Sequence, residues 1–96
     1  FGMNNIVVPY DAEYFYPGKH PVYHGASPVA MTKLANRKGY RLVGANELGF
    51  NFIFVKKGLA DKLLPEVSVE PLLTHPSTIE GYRKFEAIKD WEYQEG

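Results

Sequence analysis

The chain has 96 residues, no cysteine, and eleven basic side chains against eleven acidic ones, a formal net charge of zero. That length holds one domain at most with one modest core, and the cancelled charge withholds the long-range field by which nucleic-acid and anionic-membrane binders gather their partners. Without cysteine there is no disulfide framework, thiolate nucleophile or sulfur-ligated zinc. The expectation is a cytoplasmic protein with neither nucleic acid nor membrane as partner.

Residues 4–8 (Asn-Asn-Ile-Val-Val) are β-branched at their end and stop at Pro9, so a short extended segment is expected there. Between residues 9 and 26 three prolines and two glycines interrupt a run of tyrosines, which predicts an irregular loop with at most one helical turn near residues 11–15. Ser27-Pro28 is a start signal: serine can cap an orphan amide, and proline at the first helical position supplies the right φ with no donor to waste. Ala30, Met31, Leu34 and Ala35 then share a face and Gly39 stands where a left-handed cap is wanted, so a helix is placed at residues 28–38.

Residues 40–45 and 50–56 are both β-rich and are joined by Asn46-Glu47-Leu48-Gly49, which predicts an antiparallel hairpin. Phe50, Phe52 and Phe54 alternate with Ile53 and Val55, so the second strand is apolar on both faces and calls for cover on each. Gly58 ends it, residues 59–64 can form one or two helical turns, and Val67 and Val69 can add a short edge. Ser77 followed by Glu80 fits a capping box, and Ile79, Tyr82, Phe85 and Ala87 or Ile88 predict a second helix at about 78–89. The tail after Trp91 carries no order signal. No apolar run is long enough to span a membrane, and the N-terminus lacks a secretory pattern.

The chemistry-bearing residues are sparse. His20, His24 and His75 fall in loops, and Pro21 keeps His20 and His24 off a common helical face, so no metal site is assigned. No glycine-rich phosphate loop is present, and Ser27 lacks a nucleophile elbow. His24 and Tyr23, just before the helix, are candidates to line a pocket, with surface hydrogen bonding as the ordinary alternative. The aromatics Tyr10, Tyr14, Phe15, Tyr16 and Tyr23 either stack on a ligand or, more simply, pack against a surface. Asn46 and Asn51 either satisfy the hairpin turn or contact a polar ligand.

The ordered set Val8-Pro9-Tyr10-Asp11, Tyr23-His24-Gly25-Ala26-Ser27, Leu34-Ala35, Lys38-Gly39-Tyr40 and Leu42-Val43-Gly44 resembles the C-terminal part of FkbM-like methyltransferases. Asn46, Gly49, Asn51 and Phe54-Val55 resemble that family's closing hairpin, and His75-Pro76 with Trp91 is similar to the tail of some members. The resemblance implies transfer of a methyl group from S-adenosylmethionine, often to a hydroxyl of a sugar or related metabolite, on a Rossmann-like sheet. It places the helix before the sixth strand, with the seventh antiparallel beside it.

The glycine-rich turn and the ribose-binding acid of such proteins belong to an N-terminal half that residues 1–96 do not contain. The expectation is therefore an α/β fragment of a Rossmann-like sheet, one partial domain that opens on Phe1 as a piece of something longer. It is inactive by itself, with S-adenosylmethionine bound only by the intact protein and no cofactor residue or catalytic residue assigned in this chain. Tyr10, Tyr23, His24, Asn46 and Asn51 are the candidate contacts to a small-molecule or glycan acceptor. The exposed edge at residues 50–56 predicts self-association. The rival expectation is a small non-enzymatic module that binds through the aromatic loop at residues 10–26.

Overall fold

The computed structural model describes residues 1–15, 18–48 and 51–96. Tyr16, Pro17, Gly49 and Phe50, all part of the expectations above, lie outside the described residues. In chain order the elements are β1 (Ile6–Val7), α1 (Pro28–Arg37), β2 (Tyr40–Ala45), β3 (Phe52–Lys56), α2 (Pro76–Phe85) and β4 (Gln94–Glu95). They make two antiparallel two-stranded sheets, β1 with β4 and β2 with β3, and the class is α/β.

Helix α1 forms where its signals place it. Ser27 is extended and its Oγ accepts the Ala30 amide at 3.0 Å, while the amide of Ile6 donates to the same oxygen at 3.2 Å. One wholly buried hydroxyl thus fixes both the start of α1 and the approach of β1. The helix ends at Arg37, and the chain turns away at Gly39, whose φ of +88° is a conformation that side chains with a Cβ resist. Strand β1 is shorter than residues 4–8 because its ladder with β4 covers only Ile6 and Val7; its other edge bonds to residues 25–27, the amide of Val8 donating to Gly25 O at 2.8 Å and that of Ser27 to Ile6 O at 2.9 Å.

In the hairpin Tyr40 faces Lys56, Leu42 faces Phe54 and Gly44 faces Ile53, so Val43 is the extra residue of a β-bulge. Leu42 is fully buried and, with Ala30, Val69, Phe85 and Ile88, forms a small core. The cover required on both faces of β3 is not supplied by the described residues. Ile53 is 52 % exposed, and Phe52, Phe54 and Val55 are only half-buried. The molecule exposes 6777 Å², whereas a folded monomer of 10.9 kDa exposes about 5,600 Å². The radius of gyration, 14.2 Å, likewise exceeds the roughly 12.5 Å of a compact domain of this length.

Four expectations are corrected: the extent of α2, its cap, the edge at Val67 and Val69, and the tail. Helix α2 begins at Pro76 and gives way after Phe85 to a 3₁₀ turn, Glu86–Ile88, so the α-helix does not run over 78–89. Its cap is His75: as the residue before a proline it is held extended, and its Nδ1 accepts the Ser77 amide at 3.0 Å. Ser77 instead donates its hydroxyl to Leu48 O at 3.0 Å, joined there by Thr78 at the same distance, while Glu80 pairs with Arg83 at 3.1 Å.

Residues 59–64 hold a single helical turn, closed by the amides of Leu63 and Leu64 donating to Ala60 O at 3.0 and 2.8 Å. Val67 reaches β2 through one bond, its amide donating to Leu42 O at 3.0 Å, and the chain then enters a 3₁₀ turn at Glu70–Leu73. The tail is ordered as β4, because Glu95 and Gln94 pair with Ile6 and Val7. A partner that distant in sequence leaves no local signal.

Candidate functional site

Two open clefts flank the segment at residues 22–25. The first, about 690 Å³, lies between the N-terminus of α1 (Ser27, Pro28), strand β3 (Phe52, Phe54) and helix α2 (Ser77, Thr78, Tyr82), with His24 and Asn51 on its wall. It owes its shape to the bonds from Ser77 and Thr78 to Leu48, which anchor the start of α2 on the hairpin turn. Its lining is predominantly apolar with a few polar groups, the usual constitution of a small-molecule site. The second, about 820 Å³, lies against residues 8–15 and takes in Tyr10, Tyr23 and His24.

The structure brings His24 to both clefts, Asn51 to the first, and Tyr10 and Tyr23 to the second. Tyr10 is 91 % exposed at the rim. Tyr23 is engaged: its hydroxyl donates to Glu92 O at 2.7 Å, and its ring meets Trp91 edge-on at 4.8 Å and Tyr93 at 5.5 Å. Asn46 lines neither cleft. Its amide donates to Asn51 O at 2.9 Å, and its Oδ1 accepts the Asn51 amide at 3.1 Å, so these two asparagines lock the turn to each other.

The other histidines serve the backbone. His20 Nδ1 accepts the Val22 amide at 3.2 Å with its ring on Trp91 at 6.0 Å, and His75 is the α2 cap. Among the described residues no group of three His, Asp or Glu side chains is placed to hold a metal ion.

Sequence reasoning missed the aromatic cluster of Phe1, Tyr23, Phe85, Trp91 and Tyr93, whose rings meet mostly edge-on at 4.8 to 5.9 Å. It clamps the tail to the 18–26 loop and reaches both clefts, the first through Phe1 and the second through Tyr23. Burial pushes the Tyr93 phenol above its usual range, and the neighbouring Tyr23 adds to the shift. The Tyr93 hydroxyl donates to Ile88 O at 2.9 Å. The density of aromatic residues at both ends of the sequence was the available signal.

Compared with known proteins, the chain matches no family model, no curated protein and no solved structure. No helix among the described residues is long and apolar enough to cross a membrane.

Proposed function

We propose that this chain is the C-terminal segment of a cytoplasmic S-adenosylmethionine-dependent methyltransferase that methylates a hydroxyl of a sugar or related metabolite. The supporting observation is that residues carrying the FkbM-like resemblance, His24 to Ser27 on one side and Asn51 with Phe54 on the other, line one cleft although the whole of α1 and β2 separates them in sequence. His24 and Asn51 are the polar groups offered to an acceptor there, and Phe52, Phe54 and Tyr82 supply apolar walls. No residue of this chain is assigned to the methyl donor, which an N-terminal half would hold. The bare faces of β3 and the surplus accessible surface fit a sheet that continues beyond this hairpin.

Calorimetry tests the reading directly. S-adenosylmethionine and S-adenosylhomocysteine are titrated into this chain and into the product of its complete gene. Binding by the latter alone is the expected result; binding by neither overturns it.

A second reading, a non-enzymatic binding module, is favoured by Tyr10 and Phe15, which are 91 % and 85 % exposed beside the second cleft. Rings held that open are available to stack on a sugar face.

A further inference from the structure

The zero net charge is a sum over two unequal ends. Arg37 and Lys38 close α1, and the amide of Lys57 donates to Gly39 O at 2.9 Å, which sets Lys57 beside them. Lys56 lies opposite Tyr40 in the hairpin ladder. Lys62 belongs to the loop at residues 57–66, which Arg41 of β2 pulls back to this same end. These five cations are all exposed. Of the acids on this loop, Asp61 is already matched by Arg41, its Oδ1 3.0 Å from Nε, and only Glu66 stands without such a match among the ion pairs of the described residues. The acidic surplus falls in the tail, at Asp90, Glu92 and Glu95, whereas Glu86 is matched by Lys89 at 3.3 Å.

The same end displays its apolar side chains. Leu63 is 83 % exposed, with Leu59, Leu64 and Tyr40 also open. These leucines are not on a slack segment. The Arg41 guanidinium donates to Leu64 O and to Leu59 O, and Ala60 is held at φ +54°, a conformation uncommon for a residue with a Cβ. A braced turn that presents leucines among lysines has little use against a nucleic-acid backbone, which rewards only the charge. It suits a layer that is anionic at its surface and apolar beneath, where leucines enter the acyl boundary and lysines stay among the headgroups.

We propose that this basic and leucine-bearing end is a peripheral docking surface for an anionic lipid leaflet, with Leu63 at its centre. The contact is independent of the methyltransferase reading and rests on none of the cleft residues. Because one turn with a few lysines is a modest anchor, the binding is reversible and salt-sensitive.

The test is flotation of the 96-residue chain with phosphatidylcholine vesicles made with and without phosphatidylserine, at low and physiological ionic strength. Binding is expected only with phosphatidylserine, weakening with salt. Lys57→Ala is expected to reduce it about fivefold and Leu63→Ser about tenfold. Both side chains are exposed, so the variants retain the fold, which their far-ultraviolet spectra check. Indifference to phosphatidylserine, absence of binding, or binding unchanged in both variants overturns the proposal. So does retention on immobilised polyglutamate without vesicle binding, which would make the surface one for acidic polypeptides.

Discussion

Arg41 and Asp61 meet at 3.0 Å, yet they share the interaction unequally: the arginine side chain is 7 % exposed and the aspartate 60 %. The guanidinium is fixed mainly by the carbonyls of Leu59 and Leu64, and the carboxylate closes the arrangement from the solvent side. Arg41→Ala should therefore cost about 2–3 kcal/mol, the value of two charge-assisted bonds less partial rehydration of the freed carbonyls. Asp61→Asn should cost under about 1 kcal/mol, because solvent screens its half of the pair. Urea melts of both variants check the ranking, and equal losses would show that the ion pair outweighs the carbonyl bonds.

Ser27 offers a second ranking. Its Oγ serves the amides of Ala30 and Ile6 together, so Ser27→Ala loses a cap and orphans a second donor in a site with no water access. A loss of about 2–3 kcal/mol is expected. Hydrogen exchange should quicken at Ile6 as well as in the first turn of α1; quickening in the helix alone would contradict the shared role.

Gly39→Ala places a Cβ at φ +88° with open space around it, so strain and not collision sets the cost. About 1 kcal/mol of destabilisation is expected in thermal melts. A neutral outcome would mean that the cap relaxes into another conformation.

The raised Tyr93 pKa makes a pH prediction. The folded state holds the phenolic proton more tightly than the unfolded chain, whose value is near 10.0. The stabilisation is therefore fully present below pH about 10 and is lost as pH climbs through the raised folded value. Tyr93→Phe also loses the bond to Ile88 O, so it should be less stable at pH 8, and the gap to the parent should narrow toward pH 11. Denaturant midpoints at the two pH values decide it; a constant gap would refute the linkage.

On the proposed methyltransferase reading, His24→Ala and Asn51→Ala in the product of the complete gene should lower kcat/KM for the acceptor about tenfold or more while leaving S-adenosylmethionine affinity unchanged. Steady-state kinetics with the acceptor varied, beside donor calorimetry, provides the check. Weakened donor binding would move these residues out of an acceptor role.

Local chemistry accounts for what could be read in advance. Ser27-Pro28 and Gly39 bound α1, and β-rich runs around a four-residue connection give the hairpin, because each signal acts within a few residues. The losses arise where a distant partner decides. Ser77 has the sequence of a cap but spends its hydroxyl on Leu48, and Gln94 becomes a strand residue only because Val7 is beside it. Arg41 reads as an ordinary surface cation until the 57–66 loop folds over it. For the clefts, Tyr23 and His24 were conspicuous in sequence, whereas Thr78 and Tyr82 reach the first cleft by the docking of α2, which no local pattern encodes.

The bond from Asn5 Nδ2 to Gly96 O joins residues 91 positions apart. Closing so long a loop costs about 4 kcal/mol of chain entropy before any contact repays it, whereas α1, β2 and β3 assemble from neighbours. The order of events follows: the helix and hairpin condense first, and the β1–β4 ribbon zips last and opens first. Because Phe1 and Gly2 line the first cleft and Glu92 the second, neither cleft has its full wall until that ribbon closes.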